Sequence, residues 1–194
     1  YAYGDPLNYT TLGLLPAEYL VDLYISNNPH KLFQSFISYN SGRPGGKATR
    51  GPEAIVRPYL VTPVESNDGV LTHWGWMIEG ENISIDGLVF QPSSAMDLEA
   101  GGEPTYLLSV YEHAGTNSGM DIDIAYSIFD TSLIIETPSL VPAVRAPYAL
   151  VVQGEGNAGQ VTSDIRIDRN KFILQHANDN TAGIGDVGIY AFNS

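Results

Sequence analysis

The sequence predicts an all-β solenoid, a stack of parallel coils, and three observations carry that prediction. First, the segments Asn82-Ile-Ser-Ile-Asp-Gly-Leu-Val-Phe90, Asp121-Ile-Asp-Ile-Ala-Tyr-Ser-Ile-Phe129 and Asp164-Ile-Arg-Ile-Asp-Arg-Asn-Lys-Phe172 superimpose without a gap. Each reads as a polar residue, Ile, any residue, Ile, four variable residues and Phe, so the isoleucines share one strand face and the aromatic closes the next turn. Second, Ile83, Ile122 and Ile165 recur at intervals of 39 and 43 residues, while Tyr106, Tyr148 and Tyr190 are each 42 apart. A pattern returning at such intervals marks units that cannot bury their apolar face alone and need a stacked neighbour. Third, 20 glycines, 12 prolines and 12 tyrosines with few helix-forming runs indicate a turn-rich β protein.

At 194 residues the chain suits one well-buried domain. Nine Lys and Arg against 22 Asp and Glu give a net charge of -13, which repels phosphate backbones and acidic membranes and argues against nucleic acid as a partner. The same bias suits a surface that gathers Ca²⁺ through oxygen ligands. No cysteine is present, which removes disulfides and thiolate metal sites. No run approaches the roughly 20 apolar residues of a membrane span.

Along the chain, Pro16 suits the first turn of a short helix within Leu14-Leu-Pro-Ala-Glu-Tyr-Leu-Val-Asp-Leu-Tyr-Ile25. Residues 1–50 are therefore expected to form an N-terminal cap or extension, with coils over 51–194. Lys31 to Tyr39 is ambiguous between helix and strand, and Asn40 to Pro52 is a loop by its Gly and Pro content. From Ala54 onward short strands alternate with turns. Trp74 to Ile78, Thr105 to Val110 and Tyr148 to Val152 lead into the three repeats, and Gly188 to Phe192 opens a fourth unit. Unequal polar excursions lie between the strands, and a period near 40 implies one or two long loops per coil.

Glu79 to Phe90 and Ser163 to Phe172 resemble the strand, turn, strand signature of right-handed parallel β-helix proteins of the pectate-lyase-like superfamily. Gly51-Pro-Glu-Ala-Ile-Val-Arg57 is similar to an early coil of chondroitinase-B-like and alginate-lyase-like polysaccharide lyases. The resemblance covers roughly residues 51–194. It implies a right-handed single-stranded β-helix and, for the lyases, a basic residue that takes the proton beside a uronic carboxylate while Ca²⁺ neutralises that carboxylate. The chain departs from the pattern in carrying Arg169 where many such lyases carry His.

Stacking the repeats aligns Ser84, Asp123 and Arg166 on the outward face, and Asp86, Ala125 and Asp168 beside them. Neighbouring strands lie ~4.8 Å apart, so Asp123 and Arg166 are expected to pair. Arg166, Arg169 and Lys171 form the candidate catalytic cluster, a base and acid for glycan chemistry, set against a solvated face holding one cross-coil salt bridge. Asp121, Asp123, Asp164 and Asp168 are candidate Ca²⁺ ligands, set against ordinary turn chemistry. Trp74 and Trp76 flank Gly75, so both rings leave one strand face, as a sugar-stacking pair if exposed and as core if buried. His30, His73, His113 and His176 show no metal or triad spacing.

The chain is thus expected to be a structural or carbohydrate-binding β-helical module of an extracellular, filament or virion surface protein. The alternative is a fragment of a Ca-dependent polysaccharide lyase or other glycan depolymerase. Polysaccharide and the chain's own subunits are the expected partners, because the fourth unit after Gly188 reads as an open coil on which more chain or another subunit stacks.

Overall fold

The computed structural model describes residues 10–21, 23–26, 33–45, 50–57, 64–65, 71–79, 82–91, 105–111, 121–131, 148–154, 164–174 and 187–193. Every regular element among them is a strand. Coil 1 contains β1 (Thr10–Leu14), β2 (Ala17–Leu20) and β3 (Leu23–Ser26). Coil 2 contains β4 (Phe33–Ser38), β5 (Ala54–Arg57) and β7 (Leu71–Glu79), with β6 (Val64–Glu65) pairing antiparallel to β7. Coil 3 contains β8 (Ile83–Asp86), β9 (Val89–Phe90) and β10 (Thr105–Tyr111). Coil 4 contains β11 (Ile122–Ala125), β12 (Ile128–Asp130) and β13 (Tyr148–Gly154). Coil 5 contains β14 (Ile165–Asp168), β15 (Lys171–Ile173) and β16 (Val187–Asn193). The first strands of successive coils pair as β1-β4-β8-β11-β14, the second as β2-β5-β9-β12-β15 and the third as β3-β7-β10-β13-β16. All these pairings are parallel, so the fold is a parallel β-solenoid with three sheets around one core.

The repeated isoleucines stack in register, as their spacing predicts. Ile83, Ile122 and Ile165 face one another on neighbouring strands, and so do Ile85, Ile124 and Ile167. The four in coils 3 and 4 are at most 1% exposed, each contributing roughly 1.5–3 kcal/mol of burial. The phenylalanines form a second column. Phe90 stacks on Phe129 at 5.0 Å between ring centroids, and Phe129 on Phe172 at 5.1 Å, with interplanar angles of 8° and 9°. Trp76 meets Phe90 edge-on at 5.6 Å and Phe36 at 5.3 Å, which carries the aromatic core back to coil 2.

Three expectations need correction. The helix expected at Pro16 is absent: Pro16 lies at the bend between β1 and β2, and both strands pair with coil 2. Local propensity yields there because Leu14 is buried and Tyr19 packs against the core, which only an extended chain allows. The coil frame accordingly starts by Thr10, upstream of Gly51. Finally, the tyrosine spacing is only partly structural. Tyr106 lies opposite Tyr148, but Tyr148 faces Val187, and Tyr190 is set opposite Val151. The third sheet also breaks strict alternation, since Leu107, Leu108, Ser109 and Val110 are all buried in succession.

Two left-handed positions recur in each of the three repeats. The first is the polar residue before the strand, Asn82, Asp121 or Asp164, with φ of 56°, 54° and 59°. Asn and Asp are the side-chain-bearing residues that best tolerate this region, which explains why this position is polar. The second is the turn between the first and second sheets, held by Gly87 (φ 80°), Tyr126 (φ 50°) and Arg169 (φ 54°). After it, Asn170 bridges coils by donating from Nδ2 to the Ile124 carbonyl at 2.7 Å and accepting the Ser127 amide at 2.8 Å.

Candidate functional site

The outward face of the first sheet gathers the charged residues of the repeats. Alternation sends Ser84, Asp123 and Arg166 outward between their isoleucines, and pairing sets them in one column. The expected cross-coil pair forms, with Arg166 Nη1 3.6 Å from Asp123 Oδ2. A second carboxylate is closer, since Arg166 Nη2 donates to Asp168 Oδ2 at 2.7 Å. Arg169 Nε lies 3.6 Å from that same oxygen, and Arg169 Nη1 donates to the Tyr126 hydroxyl. The Arg169 guanidinium also sits 5.4 Å from the Tyr126 ring centroid, a cation–π contact between coils.

This cluster is a compensated charge network. The hydrogen bond that Arg166 donates to Asp168 and the fields of Asp123 and Asp168 raise the Arg166 pKa above its already high ordinary value. Arg166 therefore stays protonated and is unsuited to accept a proton. Arg169 occupies the left-handed turn position that Gly87 fills in coil 3, so its backbone serves the turn. Lys171 leaves from the second sheet, around the turn from Arg166 and exposed, with Gly45 lying against its stem.

The four carboxylates proposed as Ca²⁺ ligands are not gathered into a cradle. Asp121 and Asp164 are exposed at the left-handed positions before β11 and β14, while Asp123 and Asp168 are engaged with Arg166. Among the described residues no group of three His, Asp or Glu could hold a metal ion. His30, His113 and His176 lie outside the described residues.

Trp76 is a core residue, 2% exposed and flanked by Phe36 and Phe90, so its ring offers no face to a sugar. Of the two readings of Trp76, glycan platform and core, its burial in a column of aromatics supports the core. The side chain of Trp74 lies outside the described residues.

A feature that no spacing announced is a strap, residues 39–45 and 50–53 after β4, which lie over the turns between the first and second sheets. Arg50, whose side chain is 6% exposed, grips Glu53 with two hydrogen bonds of 2.7 Å. Its guanidinium also donates to the Arg43 carbonyl at 2.6 Å, to the Tyr126 carbonyl at 2.8 Å and to the Gly87 carbonyl at 3.3 Å. One side chain thus ties the strap to the left-handed residues of coils 3 and 4. Asp86 accepts from Ser41 Oγ at 2.7 Å and from the Gly42 amide at 3.1 Å. Asn40, fully buried, closes the strap on itself by accepting the Gly51 amide and donating to Glu53. Comparisons with protein-family models, with curated proteins and with solved structures find no match to this chain.

Proposed function

We propose that this chain is a structural or carbohydrate-binding β-helical module of an extracellular, filament or virion surface protein. The observation that carries the reading is the pairing of Arg166 with Asp168 and Asp123. A lyase needs a base with an available lone pair beside the uronate and a cation on its carboxylate. Arg166 is held in its protonated form, and its two carboxylate partners are committed to it. The repeated residues build columns and turns, which suits a scaffold whose contacts with glycan come from its loops.

The test is incubation of the chain with alginate, pectate and chondroitin, with and without Ca²⁺, while following the absorbance of unsaturated products. The reading expects no product and, for the carbohydrate-binding form, saturable binding to an immobilised glycan. Product that disappears in Arg166→Ala or Lys171→Ala would establish the lyase instead.

A further inference from the structure

We infer that Asn82 is the acceptor of an N-linked glycan, carried on the outward face of the first sheet. The inference rests on the extracellular reading above and adds a modification site to it.

Asn82-Ile83-Ser84 has the form Asn, any residue except Pro, Ser, the triplet on which oligosaccharide is transferred to an asparagine. Triplets of this form also arise by chance, so the weight falls on where the fold puts this one. Ile83 is 1% exposed and points into the core, and alternation sends Asn82 and Ser84 to the outside together. Asn82 is exposed and Ser84 half-buried. Coil 3 is paired on both sides, with β4 and with β11, so Asn82 is exposed laterally and not at an edge of the stack.

The turn and strand alone do not require this pair of residues. The left-handed position takes Asn or Asp, and coils 4 and 5 fill it with Asp121 and Asp164. The outward position two residues on holds Asp123 in coil 4 and Arg166 in coil 5, so no hydroxyl is needed there. Two other asparagines are spent on the fold. Asn40 is fully buried and its side chain holds Gly51, Pro52 and Glu53, while Asn170 bridges coils 4 and 5. Among the described residues, neither the Asn82 amide nor the Ser84 hydroxyl has a hydrogen-bond partner. In the transfer, Asn82 Nδ2 attacks the anomeric carbon of a lipid-diphosphate-linked oligosaccharide. A C–N bond forms, the anomeric carbon–oxygen bond breaks with its electron pair leaving on the diphosphate, and Nδ2 gives up one proton.

Translation of the chain behind a cleavable secretion signal, in the presence of microsomes, reads the transfer without requiring export. Peptide mass spectrometry should find a glycan on the peptide that holds Asn82, and a peptide N-glycosidase should convert that residue to Asp. Asn82→Asp and Ser84→Ala should each abolish the glycan at this position, and Ser84→Thr should keep it. Any glycan at Asn8-Tyr-Thr10 maps to a separate peptide. The chain secreted from eukaryotic cells should carry the same glycan and keep its thermal midpoint after the glycosidase, since Asp stands at the matching place in coils 4 and 5. An Asn82 that stays bare in microsomes or in the secreted chain, or a glycan there that survives Ser84→Ala, overturns the inference. Each of these results leaves the non-catalytic reading standing, because that reading falls only to the appearance of unsaturated product.

Discussion

Replacing Phe129 with Ala removes the central ring of the aromatic ladder. Phe129 is 0% exposed and lies between Phe90 at 5.0 Å and Phe172 at 5.1 Å. Truncating a buried Phe costs ~3–5 kcal/mol. Stacked pairs are worth about 0.5–1.5 kcal/mol each beyond area burial, and this ring belongs to two of them. The expected loss is therefore at the upper end, ~4–5 kcal/mol, a large share of a typical domain's stability. Phe172→Ala removes a partly exposed ring with one stack and should cost about half as much. Phe129→Leu keeps most of the volume and should cost ~1–2 kcal/mol. Urea unfolding followed by tryptophan fluorescence is a direct assay, because Trp76 lies 5.6 Å from Phe90 and reports on the same core. A loss below ~1 kcal/mol for Phe129→Ala, or equal losses for Phe129→Ala and Phe172→Ala, would refute the continuous ladder.

The strap and turns give further tests. Arg50→Ala should cost ~1–3 kcal/mol in urea unfolding by taking the guanidinium from Glu53, which keeps the Asn40 amide, and from the Tyr126 carbonyl, and Arg50→Lys should not rescue it, since an ammonium lacks the fork that grips both oxygens of Glu53. Gly87→Ala should lower stability by more than ~2 kcal/mol: the new Cβ would lie 2.5 Å from the backbone of Asn40 and Ser41, at a φ of 80°. Arg169→Gly should leave the thermal midpoint close to that of the unmodified chain, as relief of the left-handed backbone offsets lost contacts with Tyr126, whereas Arg169→Val should lower it.

The solenoid was legible in the sequence because, across coils 3 to 5, two inward columns are all Ile and one is all Phe. Ile over Ile and Phe over Phe repeat at the coil period, so alignment of the nonapeptides is alignment of the strands. The cross-coil Asp123 and Arg166 pair followed from the same register. Coil 1 was hidden because β2 owes its conformation to β5, more than thirty positions later, while its own residues are compatible with a helical turn. Tyr190 misled because equal spacing in sequence ignores loop length, and the loop before β16 sets Val187 opposite Tyr148. The role of Arg50 could not be read, since its acceptors other than Glu53 are backbone carbonyls, one of them 76 residues away. Asp121 and Asp164 read as candidate ligands because oxygen-rich side chains serve metals and left-handed turns alike, and both residues hold such turns.

The coils of the solenoid stack in parallel with repeated residues opposite one another. Nuclear Overhauser contacts between isoleucine methyls in a selectively labelled sample test this most directly. Contacts are expected from Ile85 to Ile124 and from Ile124 to Ile167, with none from Ile85 to Ile167, which are two strand spacings or roughly 9.6 Å apart. Direct contacts between Ile85 and Ile167, or between Ile83 and Ile124 in place of Ile83 and Ile122, would contradict the register and with it the solenoid.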